Sequence, residues 1–309
     1  MSSETKLRLG TRQSPLAIAQ AEETRRRLCE AHGWAEDAVE LVKVRASGDK
    51  IQDRPLADIG GKALWTRELD IWLAEGRIDA AVHSMKDVET LRPESLTIAA
   101  ILPRADVRDV LIGASSIQSI PRGAVVGTSA PRRAAQLLHH RPDCEVVTFR
   151  GNVATRLAKL AAGEAQATFL AAAGLERLGR TGTGTVLPAD EFLPAPAQGA
   201  IGIECNTDDA QTRDLLSAIS HQESRDTVMA ERALLEALGG TCHSPIAVLS
   251  EIKSGMLTMK ASLFSAEGNE RVDGEIKCDP HDQDAARTLG RDLLSRAASA
   301  ITVLFNGQS

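Results

Sequence analysis

The residues with chemical potential fall in a few short segments: Thr11-Arg12-Gln13-Ser14, Gly127-Thr128-Ser129-Ala130-Pro131-Arg132-Arg133, and Arg150-Gly151-Asn152-Val153-Ala154-Thr155-Arg156. Each follows a short apolar run of strand character and precedes a helical pattern. That arrangement sets guanidinium groups and backbone N–H donors at a helix N-terminus, a natural anion site. Arginine suits carboxylates because its planar fork donates two parallel hydrogen bonds. One exposed pair contributes only about 0 to 1 kcal/mol, so useful affinity requires several pairs in a screened cleft. Arg12, Lys86, Arg132, Arg133, Arg150 and Arg156 all map to loops at the same edge of the expected sheets. The formal net charge of -6 makes the whole chain repel polyanions. This argues against a nucleic-acid surface and for a small, negatively charged ligand in an enclosed site.

Two further residues have reactive settings. Asp87 directly follows Lys86 after the apolar run Ala80-Ala81-Val82, so it is either a simple ion-pair partner or a carboxylate facing a cation formed during reaction. At about 4 Å and an effective dielectric near 20, such a pair interacts by on the order of 4 kcal/mol. That corresponds to roughly a thousandfold in rate. Cys242 lies in Gly239-Gly240-Thr241-Cys242-His243-Ser244-Pro245, a glycine-flanked turn where His243 favours thiolate, although most lone cysteines are small core hydrophobes. Cys29, Cys144, Cys205 and Cys278 show no paired spacing, so neither a disulfide framework nor a metal site is expected. The run Gly179-Arg180-Thr181-Gly182-Thr183-Gly184 lacks the ending of a phosphate loop and reads as a surface turn.

The elements that must position these residues alternate between strand and helix. Leu7-Arg8-Leu9 opens the chain as a strand; Ser14 is placed as an N-cap, Pro15 as the first helical residue and Gly33 as the stop. A strand at Val39 to Val44, a long polar loop from Ala46 to Gly61, a helix with Trp65, Leu69, Trp72 and Leu73, and the strand before His83 follow. A second alternating set runs from Val110 to Ala171. Leu193 to Gly199 reads as an extended connector into a strand at Ile201 to Cys205. From about Ser224 a helix, three strands near Ile246–Ile252, Met256–Phe264 and Arg271–Cys278, and a final helix suggest α+β. The expected fold is α/β: two lobes with doubly wound, mainly parallel sheets, plus a small α+β C-terminal domain. Lobe 1 takes residues 1–102 and 198–220, lobe 2 takes 103–197, and the C-terminal domain takes 221–309. The ligand site is expected in the cleft between the lobes.

The 309 residues, 43% hydrophobic and 25% charged, suit a folded globular protein. No apolar run approaches the ~20 residues that span a bilayer, and the N-terminus lacks a secretory pattern, so a cytoplasmic protein is expected.

Taken together, these segments resemble the porphobilinogen deaminase (hydroxymethylbilane synthase) family over nearly the whole chain. The resemblance is carried by Arg8-Leu9-Gly10-Thr11-Arg12-Gln13-Ser14-Pro15-Leu16-Ala17, Gly60-Gly61-Lys62, Ala81-Val82-His83-Ser84-Met85-Lys86-Asp87, Arg150-Gly151-Asn152-Val153, Gln198-Gly199-Ala200, Gly202-Ile203-Glu204-Cys205 and the loop around Cys242. It implies a transferase of porphyrin and heme biosynthesis that condenses four porphobilinogen molecules, with loss of ammonia, on a dipyrromethane cofactor linked to Cys242. It also implies lobes like those of a periplasmic binding protein, a monomer, and Asp87 as the catalytic carboxylate. Arg12, Ser14, Lys62, Ser84, Lys86, Thr128, Ser129, Arg132, Arg133, Arg150, Arg156, Arg177 and Gln198 match the family's cofactor- and substrate-binding residues. Departures are Ala130 and Pro131 in the second basic segment, Asp58 for a common lysine, Glu89 where proline is usual, and Trp65 for a frequent phenylalanine. The competing reading is a non-catalytic two-lobed anion-binding protein, which has no need of Cys242, Asp87 or a third domain.

Overall fold

A computed structural model describes residues 5–44, 66–241 and 244–305. Asp58, Lys62, Trp65, Cys242, His243 and the polar stretch 46–61 lie outside the described residues. The strands, in chain order, are β1 (Leu7–Arg12), β2 (Val39–Val44), β3 (Ala80–Ser84), β4 (Leu96–Ile101), β5 (Asp109–Ile112), β6 (Val125–Gly127), β7 (Glu145–Val147), β8 (Ala167–Ala171), β9 (Thr185–Val186), β10 (Ile201–Asn206), β11 (Ile246–Lys253), β12 (Met256–Phe264) and β13 (Arg271–Cys278). They form two five-stranded sheets, ordered β2-β1-β3-β10-β4 and β7-β6-β8-β5-β9, and a three-stranded sheet β11-β12-β13. The expected α/β class therefore holds.

The chain divides into two compact units. One contains the β1 sheet and ends its first pass at Ala105, with Gly199–Arg225 returning to it; the other takes Asp106–Gln198 and Asp226–Ser309, and so contains the other two sheets.

In the first unit β1 runs parallel to both β2 and β3, while β10 is antiparallel to β3 and β4. Strand β3 is buried on both faces: Ala80 and Val82 pack with Leu7, Leu9 and Ile203, and Ala81 packs with Leu69, Leu73 and Ile78. This accounts for its continuous apolar run. The helix Pro15–His32 begins and ends as its sequence dictates. Ser14 accepts a hydrogen bond from the Ala17 N–H, Pro15 occupies the first turn, and Gly33 closes the helix at φ 64°.

In the second unit β6 is parallel to β7 and β8, and β5 runs antiparallel beside β8. Phe149 lies against Gly127, where a Cβ would overlap the phenyl ring. That contact seats the chain just before Arg150 beside the end of β6. The stretch Leu193 to Gly199 departs from the extended connector expected of it. Gln198 donates its N–H to the Ala195 carbonyl and Ala197 sits at φ 57°, so the chain turns there. The Ala197 N–H donates to the buried Glu231 carboxylate at 2.6 Å, which holds this turn.

The antiparallel sheet packs on the helices Gln222–Ala237 and Gln283–Arg296 through Leu234, Leu238, Met259, Leu263, Leu289 and Leu293. Its β12–β13 hairpin also touches the helix Pro131–His140. Phe264 packs with Ala135, His139 bonds the Gly268 carbonyl at 2.9 Å, and a Cβ on Gly268 would overlap the Ala135 carbonyl. His139, though exposed, therefore makes a tertiary contact.

Because the Phe149 ring is rigid and buried, Gly127→Ala is expected to destabilise the protein by about 1 to 3 kcal/mol, the usual cost of overpacking. Urea unfolding of wild type and variant measures this. Equal midpoints would mean that the ring moves aside freely.

Candidate functional site

Parallel pairing of β1 with β3 brings their carboxyl ends, Arg12 and Ser84, to one edge of the first sheet. Beyond Ser84 the chain makes a single 3-10 turn, Met85–Asp87. Two contacts fix it. The Met85 N–H donates to the Ala200 carbonyl at 3.1 Å, and the buried Met85 side chain occupies the space that Gly202 leaves by lacking a Cβ. Asp87 is presented half-buried from this turn. One cavity is lined by Arg12, Ser14, Gln20, Ser84 and Asp87, with His83 at its wall. Lys86 belongs to the same turn but does not line the cavity.

Gln20 was not anticipated. It is 3% exposed on the inner face of the Pro15–His32 helix and donates from Nε2 to Ser84 Oγ at 2.7 Å. Its place in the buried series Ala17, Gln20, Ala21, Thr24 and Leu28 was the available signal, because a polar residue on a core-facing stripe requires a partner.

The second unit gathers Thr128, Ser129, Arg132, Arg133 and Gln198, the last three around Asp109. The antiparallel sense of β5 explains why: its first residue, Asp109, pairs with Ala171 at the end of β8 and so reaches the edge where β6 and β8 finish. Arg132 Nη1 donates to Asp109 Oδ2 at 2.6 Å, and Arg133 donates from Nη2 and Nε to Oδ1 at 2.7 and 3.2 Å. Gln198 Nε2 donates to Asp109 Oδ1 at 3.0 Å. Both arginines are 4% exposed and Asp109 is fully buried. Burial alone would push the Asp109 carboxyl upward, but the two guanidinium charges outweigh it and hold it well below the usual carboxylate range. Burial also pulls the Arg132 guanidinium below its ordinary value, against the opposing charge of Asp109. Asp109 escaped the sequence reading because no motif surrounds it.

The three basic segments differ in their helix starts. Ser14 and Asn152 cap their own helices, Asn152 by accepting from the Thr155 N–H at 2.9 Å. Pro131–His140 starts at Ala130, which offers no side-chain cap. The open N-terminus is thus the one beside Arg132 and Arg133, where Ala130 departs from the family's hydroxyl. Arg156 spans from this loop to the next: Nε donates to the Gly151 carbonyl at 3.0 Å, and Nη2 approaches Ser129 Oγ at 3.5 Å. Arg150 is buried in the loop after β7, and Arg177 ends the helix Ala172–Arg177.

This donor set fits a polycarboxylate. The Nε of Arg132 is buried and has no hydrogen-bond partner among the described residues. Such a group costs about 1 to 3 kcal/mol until an acceptor reaches it. Asp109, Arg132 and Arg133 together also carry a formal charge of one positive unit, so one further anion completes their neutralisation. Among the described residues no cluster of His, Cys, Asp and Glu could hold a metal ion, and no helix is long and apolar enough to cross a membrane.

Comparison with known proteins gives two family matches: "Porphobilinogen deaminase, dipyromethane cofactor binding domain" over residues 7–214 and "Porphobilinogen deaminase, C-terminal domain" over residues 226–298. The porphobilinogen deaminase of Sphingopyxis alaskensis is 54% identical over 305 residues, covering 97% of this chain and 96% of the relative. That of Paracoccus denitrificans is 50% identical, covering 93% and 92%, and the chloroplastic enzyme of Oryza sativa is 48% identical, covering 93% and 81%. Among solved structures, the VFT2 domain of Bordetella pertussis BvgS is 16% identical, covers 72% of this chain and 91% of that domain, and has a TM-score of 0.41.

Asp109→Asn keeps the shape of the side chain but leaves two buried guanidinium groups without their counter-charge. A loss of about 3 to 5 kcal/mol is expected at pH 7. Because the folded-state carboxyl is depressed, wild type holds this advantage above the unfolded value of about 4 and loses it as pH falls further. Denaturant unfolding from pH 7 to pH 3 should show the gap between wild type and variant narrowing; a gap constant with pH would exclude the ionised carboxylate as its source.

Proposed function

The chain belongs to the porphobilinogen deaminase family, and on that premise we propose that Asp87 is its catalytic carboxylate and Cys242 the residue that carries its covalent dipyrromethane. The family activity is that of a transferase, hydroxymethylbilane synthase, which condenses four porphobilinogen molecules with loss of ammonia into a linear tetrapyrrole. When bound, the dipyrromethane supplies the free pyrrole carbon on which the chain grows. The rest of the chemistry falls to protein side chains.

The observation that carries this reading is the single cavity shared by Asp87, Arg12, Ser14 and Ser84. Each porphobilinogen brings an acetate and a propionate, so Arg12 and the hydroxyls of Ser14 and Ser84 bind and orient it. Asp87, half-buried beside them, holds the proton at the leaving amine and the pyrrole nitrogen and faces the cation that remains when ammonia departs. That cation exists only along the reaction path, so its pairing with Asp87 lowers the barrier rather than merely tightening binding.

Arg132, Arg133, Arg150, Arg156, Thr128, Ser129 and Gln198 hold the carboxylates of the dipyrromethane and the lengthening chain, with Arg177 completing the set. Lys62 and Lys86 belong to the same proposal, and the Cys242 thiolate forms the thioether that anchors the cofactor. The domain carrying Cys242 is the C-terminal one, residues 221–309, beside lobes at 1–102 with 198–220 and at 103–197. Cytoplasmic location and a monomeric state complete the proposal; a single 32.9 kDa species in sedimentation would support the latter. A non-catalytic anion-binding role is not favoured, because the relatives are named as enzymes along nearly their full length.

Intact-protein mass spectrometry of wild type beside Cys242→Ala tests the attachment. An excess of two linked pyrrole units is expected in wild type and not in the variant; an equal excess in both would move the attachment elsewhere. Asp87→Ala is expected to retain the adduct and lose turnover by roughly a thousandfold, the rate equivalent of about 4 kcal/mol. Steady-state turnover within tenfold of wild type would remove Asp87 from its role.

A further inference from the structure

A heavily charged interior cluster in the first unit centres on a carboxylate, Glu204, that has so far been given no role. Glu204, on β10, is fully buried. Arg92 donates to it in bidentate fashion, Nε to Oε1 and Nη2 to Oε2, both at 2.9 Å. His83 Nε2 lies 3.0 Å from Oε2. The same guanidinium reaches Asp70 at 2.6 Å and Glu89 at 2.7 Å, and Thr66 donates its hydroxyl to Glu89 at 2.9 Å. Glu89, a departure from the family's usual proline, is thereby tied into the cluster.

Fold stability is a weak reason for such an arrangement, since well-packed apolar residues often serve as well as buried ion pairs. Its position along the chain is more telling. His83 immediately precedes Ser84, and Arg92 follows Asp87 by five residues. One carboxylate therefore fastens both ends of the segment that bears Ser84, Lys86 and Asp87, while Met85 is seated against Gly202 in the middle. The β10 register shifts against β4 between Ile203 and Glu204. An irregularity of this kind re-aims a side chain, here the one that makes the clamp. Two members of the cluster, His83 and Thr66, also line the cavity that contains Asp87.

We infer that Glu204 is a positioning residue for the condensation: through His83 on one side and Arg92 on the other, its buried carboxylate holds the Asp87 turn in the geometry that meets the developing cation. The inference rests on the proposed role of Asp87. Burial opposes the Glu204 charge, but His83 and Arg92 together keep its carboxyl at about 2, so the clamp is ionised throughout the working range.

The test uses full-length, dipyrromethane-loaded protein, with active sites counted by the mass of the adduct. Glu204→Gln preserves size and removes the charge. It is expected to lower kcat per loaded site at least tenfold while KM stays within twofold, because the substrate carboxylates are held elsewhere. In the His83→Gln and Glu204→Gln double variant, kcat should fall no further than in the worse single variant. A readout independent of turnover is the His83 ring resonance, identified by its loss in His83→Gln, which should shift in Glu204→Gln.

A lowered melting temperature with kcat per loaded site within twofold of wild type would overturn the inference and leave Glu204 a structural residue. If Glu204→Gln does not fold, Arg92→Lys decides, since it keeps the charge but loses the fork. A loss of about threefold in kcat is expected, and unchanged kcat overturns the proposal. Asp87→Asn is measured alongside. Full turnover there would defeat the Asp87 role itself, whereas an inactive Asp87→Asn beside a normal Glu204→Gln would defeat only the positioning role.

Discussion

Two guanidinium groups cannot be kept side by side in a protein interior without a counter-charge, and much of the second unit is arranged around supplying one. Asp109 accepts from both Arg132 and Arg133, and Gln198 completes its shell. The carboxylate arrives there because β5 runs against its neighbours and begins where they end. Without that reversal the arginines would have to extend into solvent, where a pair with a ligand carboxylate contributes little. With it, they are fixed in a low-dielectric edge and carry one unit of positive charge more than their partner. A site of this kind has its donors oriented before any anion arrives, so less side-chain entropy is lost on binding.

The first unit solves the opposite problem. Glu204, Asp70 and Glu89 surround one arginine and one histidine, so by formal count the cluster stays negative whichever state His83 adopts. Behind Asp87, the carboxylate proposed to face a cation, this sign is the favourable one. The two clusters thus carry opposite formal charge, positive around Asp109 and negative around Glu204.

Much of this was legible in the sequence. Ser14, Pro15 and Gly33 mark the limits of the first long helix because capping is local chemistry. The three C-terminal strands appeared at their observed positions because their residues alternate or run apolar without interruption. The arginine segments and Asp87 stand out in the sequence because loop motifs keep charge and glycine together within a few residues. Asp109, Gln20 and Arg92 stayed hidden for a common reason. Each is a single polar residue whose meaning depends on a partner more than twenty residues away, or sixty-four in the case of Gln20 and Ser84. The turn at Ala197 and Gln198 was misread for a related reason: the proline-rich composition suggested extension, whereas the buried Glu231 carboxylate draws the chain around.

The contact between Gly268 and the helix Pro131–His140 has a bearing on how this protein can vary. By sequence logic a hairpin tip is among the freest positions in a chain, open to insertion and drift. Here the tip lies against the backbone of the helix that carries Arg132 and Arg133, so close that even one methyl group has no room. A side chain at position 268 would therefore have to displace either the hairpin tip or the backbone of the helix that carries Arg132 and Arg133.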